Sequence, residues 1–266
     1  MEANFIRRNG VPNTPGMGYL GHTLVSSALP VSVPQFVGLG SPGFGYPENW
    51  CLVRWINGEH PPTRRHEASK TRRSQREDSL AQDLADVIRT LRALKIPAAA
   101  RSDADLRWYR TQPLEASDAQ FRAHLAVCRE LPGLDLNLSA AEAVWKAAME
   151  LPETQTTEHW VHCDLVAENL LQLEGRLCGV LDFGTLSVGD PAVELHGAWE
   201  LFDPAALQHF RSRLGVSDSQ WLQGRAWALA IALGCLAYYW DKLPSRRNDR
   251  LAMAHNVLYD AAGDGF

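Results

Sequence analysis

The segment His162–Leu171, which reads HCDLVAENLL, and the segment Gly179–Gly184, which reads GVLDFG, contain the residues that decide the fold and its chemistry. Three polar side chains stand out among apolar neighbours. Asp164 and Asn169 are five residues apart on what must be a loop, and Asp182 follows thirteen residues later at the end of an apolar strand. A hairpin between the two segments would bring all three side chains together.

These three residue types meet the requirements of phosphoryl transfer. The reaction needs a base that accepts a hydroxyl proton and hard oxygen ligands that hold magnesium against a triphosphate. A carboxylate at Asp164 can orient and deprotonate the acceptor. The amide oxygen of Asn169 and the carboxylate of Asp182 can coordinate the metal that neutralises the β and γ phosphates.

A third segment, Gly189–Ala192 (GDPA), completes a pattern that resembles the catalytic core of the aminoglycoside phosphotransferase family, antibiotic kinases related in fold to protein kinases. In that family an HGD-type loop is followed by an Asn five residues after the Asp, a DFG-like metal motif and a GDPA segment. Here the chain reads HCD, N, DFG and GDPA in the same order, and this combination is specific. The resemblance implies an α+β, protein-kinase-like two-lobe fold, with a reduced N-terminal lobe containing β-strands and a mostly helical C-terminal lobe.

The resemblance also implies roles for individual residues. Asp164 would be the catalytic base, Asn169 and Asp182 would be the magnesium ligands, and Asp190 would cap the helix that follows it. The reaction would move the γ-phosphoryl group of ATP or GTP to a hydroxyl group of a small molecule, such as an aminoglycoside or another antibiotic. Mg²⁺ would be the cofactor, and the nucleotide would be the co-substrate.

A nucleotide-binding hinge is implied upstream. The segment Trp50–Glu59 (WCLVRWINGE) is similar to the last N-lobe strand and hinge of one bacterial branch of the family. The resemblance implies that the backbone at Arg54 and Ile56 meets the adenine edge. Leu171 and Leu181 would then pack beneath the base.

The implied lobes are unequal. Residues 1–53 would form the N-terminal lobe, 54–59 the hinge, and 60–266 the C-terminal lobe with the catalytic loop and the metal motif. Family members carry three elements before the hinge: a glycine-bearing hairpin over the phosphates, a strand with a phosphate-binding basic residue, and a helix with an acid. In this chain the 53 residues before the hinge must supply all of them.

The phosphate-binding elements depart furthest from the family pattern. Gly16 and Gly18 form a weak glycine pair, and the first lysine, Lys70, lies beyond the hinge, so Arg7 or Arg8 would have to bind the phosphates. One alternative is therefore a catalytically impaired remnant or pseudokinase that acts as a binding module. Another is a damaged gene, in which 1–28 and 61–76 are out-of-register sequence. The catalytic loop also departs from the family pattern, because Cys163 stands where the family usually has Gly.

Periodicity and turn-forming residues predict the main elements. Apolar residues at helical spacing predict a buried helix face that ends before Pro97, and a Ser139–Glu142 pattern predicts a capping box. The predicted helical face consists of Leu80, Leu84, Val87, Ile88, Leu91 and Leu94. Further helices are predicted after Asp203-Pro204, with Gly215 as the stop, and from Ser217 to Trp240. Strands are predicted at Val31–Leu39, Trp50–Ile56, Leu170–Leu173 and Leu177–Leu181.

Composition excludes several classes of protein. The 266 residues are 45% apolar and carry a formal net charge of -5, which argues against a disordered chain and against a uniformly basic, nucleic-acid-binding surface. The longest apolar stretch, Ala226–Trp240, is shorter than the roughly 18 residues of a membrane span. The five scattered cysteines and the absence of a signal-like N-terminus favour the cytoplasm. We therefore expect a small-molecule partner, without nucleic acid or membrane; the sequence does not reveal the oligomeric state.

Other interpretations of the polar and aromatic residues remain open. Acidic side chains could bind a cationic antibiotic, but most acidic side chains lie on the surface and keep the protein soluble. Aromatic residues at helical spacing could stack on a substrate, but such residues more often belong to the hydrophobic core. Zinc at His159, His162 and Cys163 fits no standard spacing, and the basic run 64–76 is typical of a solvated linker. The acids are Glu194, Glu200, Asp203 and Asp241, and the aromatics are Trp199, Trp221, Trp227, Tyr238, Tyr239 and Trp240.

Overall fold

Short strands occur in the N-terminal part of the chain and helices dominate after residue 74. The computed structural model describes residues 6–7, 23, 25–47, 50–64, 75–152 and 157–265. The strands are β1 (Ile6–Arg7), β2 (Phe36–Gly40), β3 (Trp50–Val53), β4 (His159–Val161), β5 (Leu170–Leu173), β6 (Arg176–Val180) and β7 (Ser187–Gly189). The helices are α1 (Gln75–Ala93), α2 (Ala98–Arg101), α3 (Asp118–Arg129), α4 (Leu138–Met149), α5 (Ala198–Leu201), α6 (Pro204–Leu214), α7 (Asp218–Tyr239) and α8 (Pro244–Ala262).

The N-terminal strands form an antiparallel sheet with the order β1-β3-β2. β3 lies in the centre, with Ile6 opposite Leu52 on one edge and Phe36 opposite Val53 on the other. The predicted strand at Val31–Leu39 begins later than expected, because Pro34 has no N–H to donate to a ladder. The two predicted strands are therefore present but shorter.

The residues before β2 connect this sheet to the C-terminal half. Ser32 pairs in parallel with Gly179 of β6: its N–H donates to the Cys178 carbonyl at 2.9 Å, and its own carbonyl accepts from Val180 at 3.0 Å. The chain after β3 is tied to the same hairpin, since Glu59 and Gln172 exchange two backbone hydrogen bonds of 2.8–3.0 Å. Both connections hold the N-terminal sheet against the β5–β6 hairpin.

The β5–β6 hairpin lies at Leu170–Leu173 and Arg176–Val180, as the sequence predicts within a residue. Its two-residue turn has positive φ at Glu174 (54°) and at Gly175 (81°). This conformation matches the twist of antiparallel strands and explains the glycine. The antiparallel strands β4 and β7 flank both motif segments, and the short turn Tyr109–Thr111 packs against β7.

The helical core forms as the apolar spacing predicts. Leu80, Leu84, Val87, Ile88 and Leu91 of α1 are all buried, and Leu94 packs against the same core. α1 packs against α6, whereas α7 packs against α3, α4 and α8. Because α7 is surrounded on several sides, it is apolar around much of its circumference.

Helix ends follow the predicted signals with one exception. The Asp203 side chain caps α6 by accepting from the Ala206 N–H, and Gly215 ends the helix in the left-handed region. The predicted Ser139–Glu142 capping box is wrong. Asn137 caps α4 instead, since its side-chain oxygen accepts from the Ala140 N–H, and Ser139 therefore lies inside the first turn.

The predicted buried helix at Ser217–Trp240 is α7, with Ser217 and Gln220 forming a reciprocal capping box. Within the described ranges, no helix has both the length and the apolar character that crossing a membrane requires. The basic run 64–76 lies outside the described residues except for Arg64 and the first residues of α1. Thr63 and Arg64 contact the C-terminal half: Thr63 Oγ1 donates to Asp249 at 2.7 Å, and the Arg64 N–H donates to the Glu200 carbonyl at 2.8 Å.

A close backbone approach makes Gly197, just before α5, sensitive to any side chain. A Cβ atom at this position would lie 1.8 Å from the carbonyl oxygen of Leu165, which belongs to the loop carrying the first motif. Backbone atoms cannot move aside as the end of a flexible side chain can. The absence of a side chain at Gly197 therefore allows α5 to support that loop.

We predict that Gly197→Ala lowers the free energy of unfolding by about 3 kcal/mol or more, which is the upper range for overpacking. Gly43→Ala is the matched control, because a Cβ there meets nothing within 4 Å. Urea unfolding of both variants measures the difference. Equal stability of the two variants would contradict the close approach.

Candidate active site

His162 connects the two polar motifs. Its Nε2 donates to the Leu181 carbonyl at 2.8 Å, while its Nδ1 accepts from the Asp164 N–H at 3.3 Å, so the bonding pattern assigns a neutral ring protonated at Nε2. The Leu181 N–H in turn donates to the Asn169 carbonyl at 2.8 Å. Asp182, the next residue, is thereby placed beside the loop that carries Asp164 and Asn169.

The Asp164 carboxylate is held from two sides. Its Oδ1 accepts from Arg110 Nη1 at 2.9 Å and its Oδ2 accepts from Asn169 Nδ2 at 2.9 Å. Burial raises the pKa of this carboxyl, but Arg110, His196 and further donors lower it more, so the pKa lies below its ordinary value. Asp164 is therefore ionised at neutral pH and ready to accept a hydrogen bond.

Arg110, which contacts the Asp164 carboxylate, was not predicted from the sequence. It lies in the short turn Tyr109–Thr111, 54 residues before Asp164, in a segment without a recognisable motif. Its Nη1 also donates to the Cys163 carbonyl at 3.0 Å. Only the adjacent aromatic pair, Trp108 and Tyr109, could have marked the segment in the sequence.

Asn169 presents the oxygen that a metal would need. Its Nδ2 donates to the carbonyl and carboxylate of Asp164, at 2.8 and 2.9 Å, which turns Oδ1 away from Asp164. Among the described residues, nothing donates to that Oδ1. Asp182 adopts a left-handed backbone with φ 58° and accepts from the Gly184 N–H at 3.2 Å. The amide oxygen and the carboxylate are the donor set that magnesium prefers.

Cys163 stands where the family usually has Gly, and it adopts a backbone conformation that glycine favours. The residue has a φ of 67°, in the region that glycine favours, and its side chain is fully buried. Its N–H donates to Glu194 Oε1 at 2.6 Å. Burial raises the pKa of the Cys163 thiol well above its ordinary range, so the thiol stays protonated at neutral pH.

Asp190 caps the turn Pro191–Leu195, as the resemblance implies, since its carboxylate accepts from the Ala192 N–H at 2.8 Å. The same turn carries Glu194, which is fully buried and has no partner for Oε2 among the described residues. Burial raises the pKa of Glu194 to about 7. Below about pH 7, the carboxyl group that supports the loop is therefore mostly protonated.

The residues expected to contact a nucleotide are close to the β5–β6 hairpin. Leu171 and Ile56 both contact Gly179, where a Cβ would lie 3.4 Å from Leu171 and 3.1 Å from Ile56. The N–H of Arg54 donates to the Gln35 carbonyl at 2.8 Å, so Arg54 would meet a base through its carbonyl oxygen. Leu181 follows β6 and pairs with Asn169, as described above.

Three of the four acids considered for binding a cationic antibiotic make contacts within the protein instead. Glu194 bonds to the catalytic loop, Glu200 pairs with Arg250 and accepts from the Ala167 N–H, and Asp203 caps α6. All three are buried, whereas Asp241 is exposed. Of the six aromatics, the four tryptophans are in the core and Tyr238 is exposed.

The histidines considered for zinc bond to the backbone. His159 Nδ1 bonds to the Arg92 carbonyl at 2.8 Å, and His162 bonds to Leu181. In the part of the chain that the structure describes, no group of three or more His, Cys, Asp or Glu side chains could hold a metal ion. A magnesium ion at Asn169 and Asp182 would therefore take its remaining ligands from water and from the phosphates of a nucleotide.

The buried Glu194 makes a specific prediction about stability and pH. Above pH 4.5 the unfolded chain ionises this carboxyl, whereas the folded protein keeps it protonated to about pH 7, so its contribution to stability falls as the pH rises across this interval. Glu194→Gln cannot ionise. We predict that the free energy of unfolding of Glu194→Gln, relative to wild type, increases by about 3 kcal/mol from pH 4.5 to 7.

Urea unfolding of both proteins across this pH range measures the difference. Other titrating groups, including His196, are present in both proteins and cancel in it. If the difference in unfolding free energy between the two proteins did not change with pH, Glu194 would have the same pKa in the folded and unfolded states.

Comparison with known proteins supports the fold. The structure is similar to the GDP complex of wild-type aminoglycoside 2'-phosphotransferase-IIIa, with a TM-score of 0.61 and 16% identity, over 100% of this chain and 95% of that one. It is also similar to macrolide 2'-phosphotransferase MphH from Brachybacterium faecium, with a TM-score of 0.53 and 19% identity, over 91% of this chain and 77% of that one. A third similar structure is the streptomycin–ATP–APH(2")-IIa ternary complex, with a TM-score of 0.55 and 19% identity, over 83% of this chain and 72% of that one.

These likenesses show a kinase-like α+β fold, as the resemblance implied. No curated protein matches the sequence significantly. The sequence model of the phosphotransferase enzyme family matches residues 21–230, a range that contains the catalytic loop, the DFG segment and the GDPA segment. The chain belongs to the phosphotransferase enzyme family.

Proposed function

We propose that this protein transfers the γ-phosphoryl group of ATP or GTP to a hydroxyl group of a small molecule, and that Mg²⁺ is required. The observation that carries the proposal is the arrangement of Asp164, Asn169 and Asp182 around one loop. Asp164 is ionised and fixed, Asn169 offers a free amide oxygen, and Asp182 adjoins Asn169 through the backbone bond of Leu181. This combination supplies a base and two metal ligands.

The roles follow from the contacts. The acceptor hydroxyl would donate to Asp164, whose oxygens each retain a lone pair beyond the bonds to Arg110 and Asn169. As the bond from the acceptor oxygen to the γ-phosphorus forms, the bond from that phosphorus to the β–γ bridging oxygen breaks. Asp164 accepts the hydroxyl proton, and the nucleoside diphosphate leaves. Magnesium, held by Asn169 and Asp182, would neutralise charge on the phosphates.

The nucleotide would lie between the N-terminal sheet and the β5–β6 hairpin. We propose residues 1–53 as the N-terminal lobe, 54–59 as the hinge and 60–266 as the C-terminal lobe. The backbone at Arg54 and Ile56 would contact the base, with Leu171 and Leu181 beneath it; the contact of Ile56 and Leu171 with Gly179 supports this placement. Positioning and charge neutralisation would supply most of the rate.

The acceptor and the compartment are also proposals. The acceptor belongs to the small-molecule hydroxyl compounds, which include aminoglycoside and macrolide antibiotics, and the similar structures concern such antibiotics. The five cysteines form no disulfides. Unpaired cysteines and a requirement for ATP suit the cytoplasm.

A second candidate is a catalytically impaired binding module. The described part of the N-terminal sheet has three strands, and β1 has two residues. Gly16, Gly18 and Arg8 lie outside the described residues, and of Arg7 only the backbone pairing with β3 is described. Nucleotide binding discriminates between the two candidates.

We predict that calorimetric titration detects ATP binding that depends on magnesium, and that Asp182→Ala abolishes this dependence. Asp135→Ala is the matched control, because Asp135 is exposed in the loop between α3 and α4. If wild type and Asp182→Ala bound ATP equally well and without any dependence on magnesium, Asp182 would be excluded as a metal ligand. No binding by folded wild type would favour the impaired module.

We predict that Asp164→Asn keeps nucleotide binding but lowers the rate of phosphoryl transfer by about 10²–10⁴, the usual contribution of a general base. Acceptor-dependent formation of nucleoside diphosphate measures this rate, with Asp135→Asn as the control. Unchanged transfer by Asp164→Asn would exclude Asp164 as the base.

A further inference from the structure

Arg110 lies on the side of Asp164 that faces away from Asn169. Asn169 Nδ2 bonds to Oδ2 of the carboxylate and Arg110 Nη1 bonds to Oδ1, and the two oxygens of a carboxylate point apart. In the proposed function, Asn169 marks the metal and nucleotide side. Arg110 therefore marks the opposite side of the base, from which the acceptor must approach.

The guanidinium of Arg110 is held in place from several directions. Its Nε donates to the Tyr109 hydroxyl at 2.9 Å, and its Nη1 donates to Asp164 and to the Cys163 carbonyl. Its Cζ lies 4.5 Å from the centre of the Trp108 ring. Burial lowers the pKa of Arg110, but Tyr109 and Asp164 raise it more, so the group stays charged. Such a group binds without reorganising.

One amino group of this guanidinium remains available. Nη2 makes no hydrogen bond with any residue that the structure describes, although Nε and Nη1 are both bonded. The side chain keeps 13% of its surface exposed. A fixed cation with a free pair of donors beside the catalytic carboxylate suits an oxyanion.

The nearby acids are poorly placed to bind ammonium groups. Glu168, the other acid of the catalytic loop, pairs with Arg246 at 2.9 Å and with Arg250 at 3.3 Å. Glu194 and Glu200 are buried, and Glu200 also pairs with Arg250. A polycationic acceptor would therefore meet the guanidinium of Arg110 and acids that are already neutralised.

We propose that Arg110 forms an anion subsite on the acceptor side of Asp164, and that the acceptor is a hydroxyl compound carrying a carboxylate or phosphate group a few bonds from the hydroxyl that is phosphorylated. Arg110 is a specificity-determining residue in this arrangement. Trp108 and Tyr109 hold its guanidinium, and Nη2 donates to the anionic group. The proposal rests on the proposed function for the direction from which the acceptor approaches.

Binding of four probes with one carbon skeleton tests the subsite directly. Glycerate and glycerol phosphate are anionic, glyceramide is neutral, and isoserinol carries an ammonium group. In protein with isotope-labelled arginine, the Nε–H resonance of Arg110 is identified by its loss in Arg110→Lys. Glycerate or glycerol phosphate is expected to shift this resonance saturably, and the comparison of the two separates a carboxylate site from a phosphate site. Glyceramide and isoserinol are expected to leave it unmoved.

Two variants check the assignment by calorimetry with the anionic probe that binds more tightly. Arg110→Gln, which keeps a donor but loses the charge, is expected to weaken its affinity by at least about tenfold, and Arg110→Lys by less. Arg122→Gln is the matched control, because Arg122 forms an exposed ion pair with Asp118 on α3. Equal or tighter binding of isoserinol, no shift with either anion, or unchanged affinity in Arg110→Gln would overturn the proposal.

Nucleotide binding separates failure of this inference from failure of the proposed function. Saturable anion binding at Arg110 in a protein that binds no ATP would sustain the subsite and contradict the kinase. ATP consumption stimulated by isoserinol but not by glycerate or glycerol phosphate would sustain the kinase and contradict the subsite. ATP consumption that an anionic probe stimulates, and that Arg110→Gln reduces by raising the KM for that probe, would support both the kinase activity and the anion subsite.

Discussion

The hydrogen bond from His162 to the Leu181 carbonyl is the contact on which the rest of the site depends. It joins the loop that begins after β4 to the end of β6, and the Leu181 N–H completes the connection by bonding to Asn169. Thr185 Oγ1 adds a bond to the His162 carbonyl at 2.7 Å, and the Phe183 ring packs edge-on against the imidazole at 4.8 Å. These contacts therefore join two segments that are separate in the sequence into one unit.

Two buried acidic side chains hold this unit against the helices. Glu194 supports the amide of Cys163, and Glu200 supports the amide of Ala167 while pairing with Arg250. Such buried groups add little net stability, because desolvation offsets their attraction. Their effect is to fix the geometry of the loop, and this also explains why these acids are not available to bind a cationic substrate.

The local part of the site could be predicted from the sequence, whereas its long-range part could not. Asp164 and Asn169 are five residues apart on one loop and contact each other. The hairpin brings the chain beside Asp182 back to Asn169 through the Leu181 N–H. Arg110 comes from a turn far along the chain, and no local pattern encodes its contact with Asp164. The α4 cap was misplaced for a related reason, since Asn137 and Ser139 offer competing caps and only the folded chain selects one.

The most direct test of the central claim is a crystal structure of the protein with Mg²⁺ and a non-hydrolysable ATP analogue. We expect a metal ion bound by Asn169 Oδ1 and the Asp182 carboxylate, with the γ-phosphate facing the Asp164 carboxylate. A nucleotide bound at another place, or a metal ion held by the phosphates without either side chain, would contradict this account of the site.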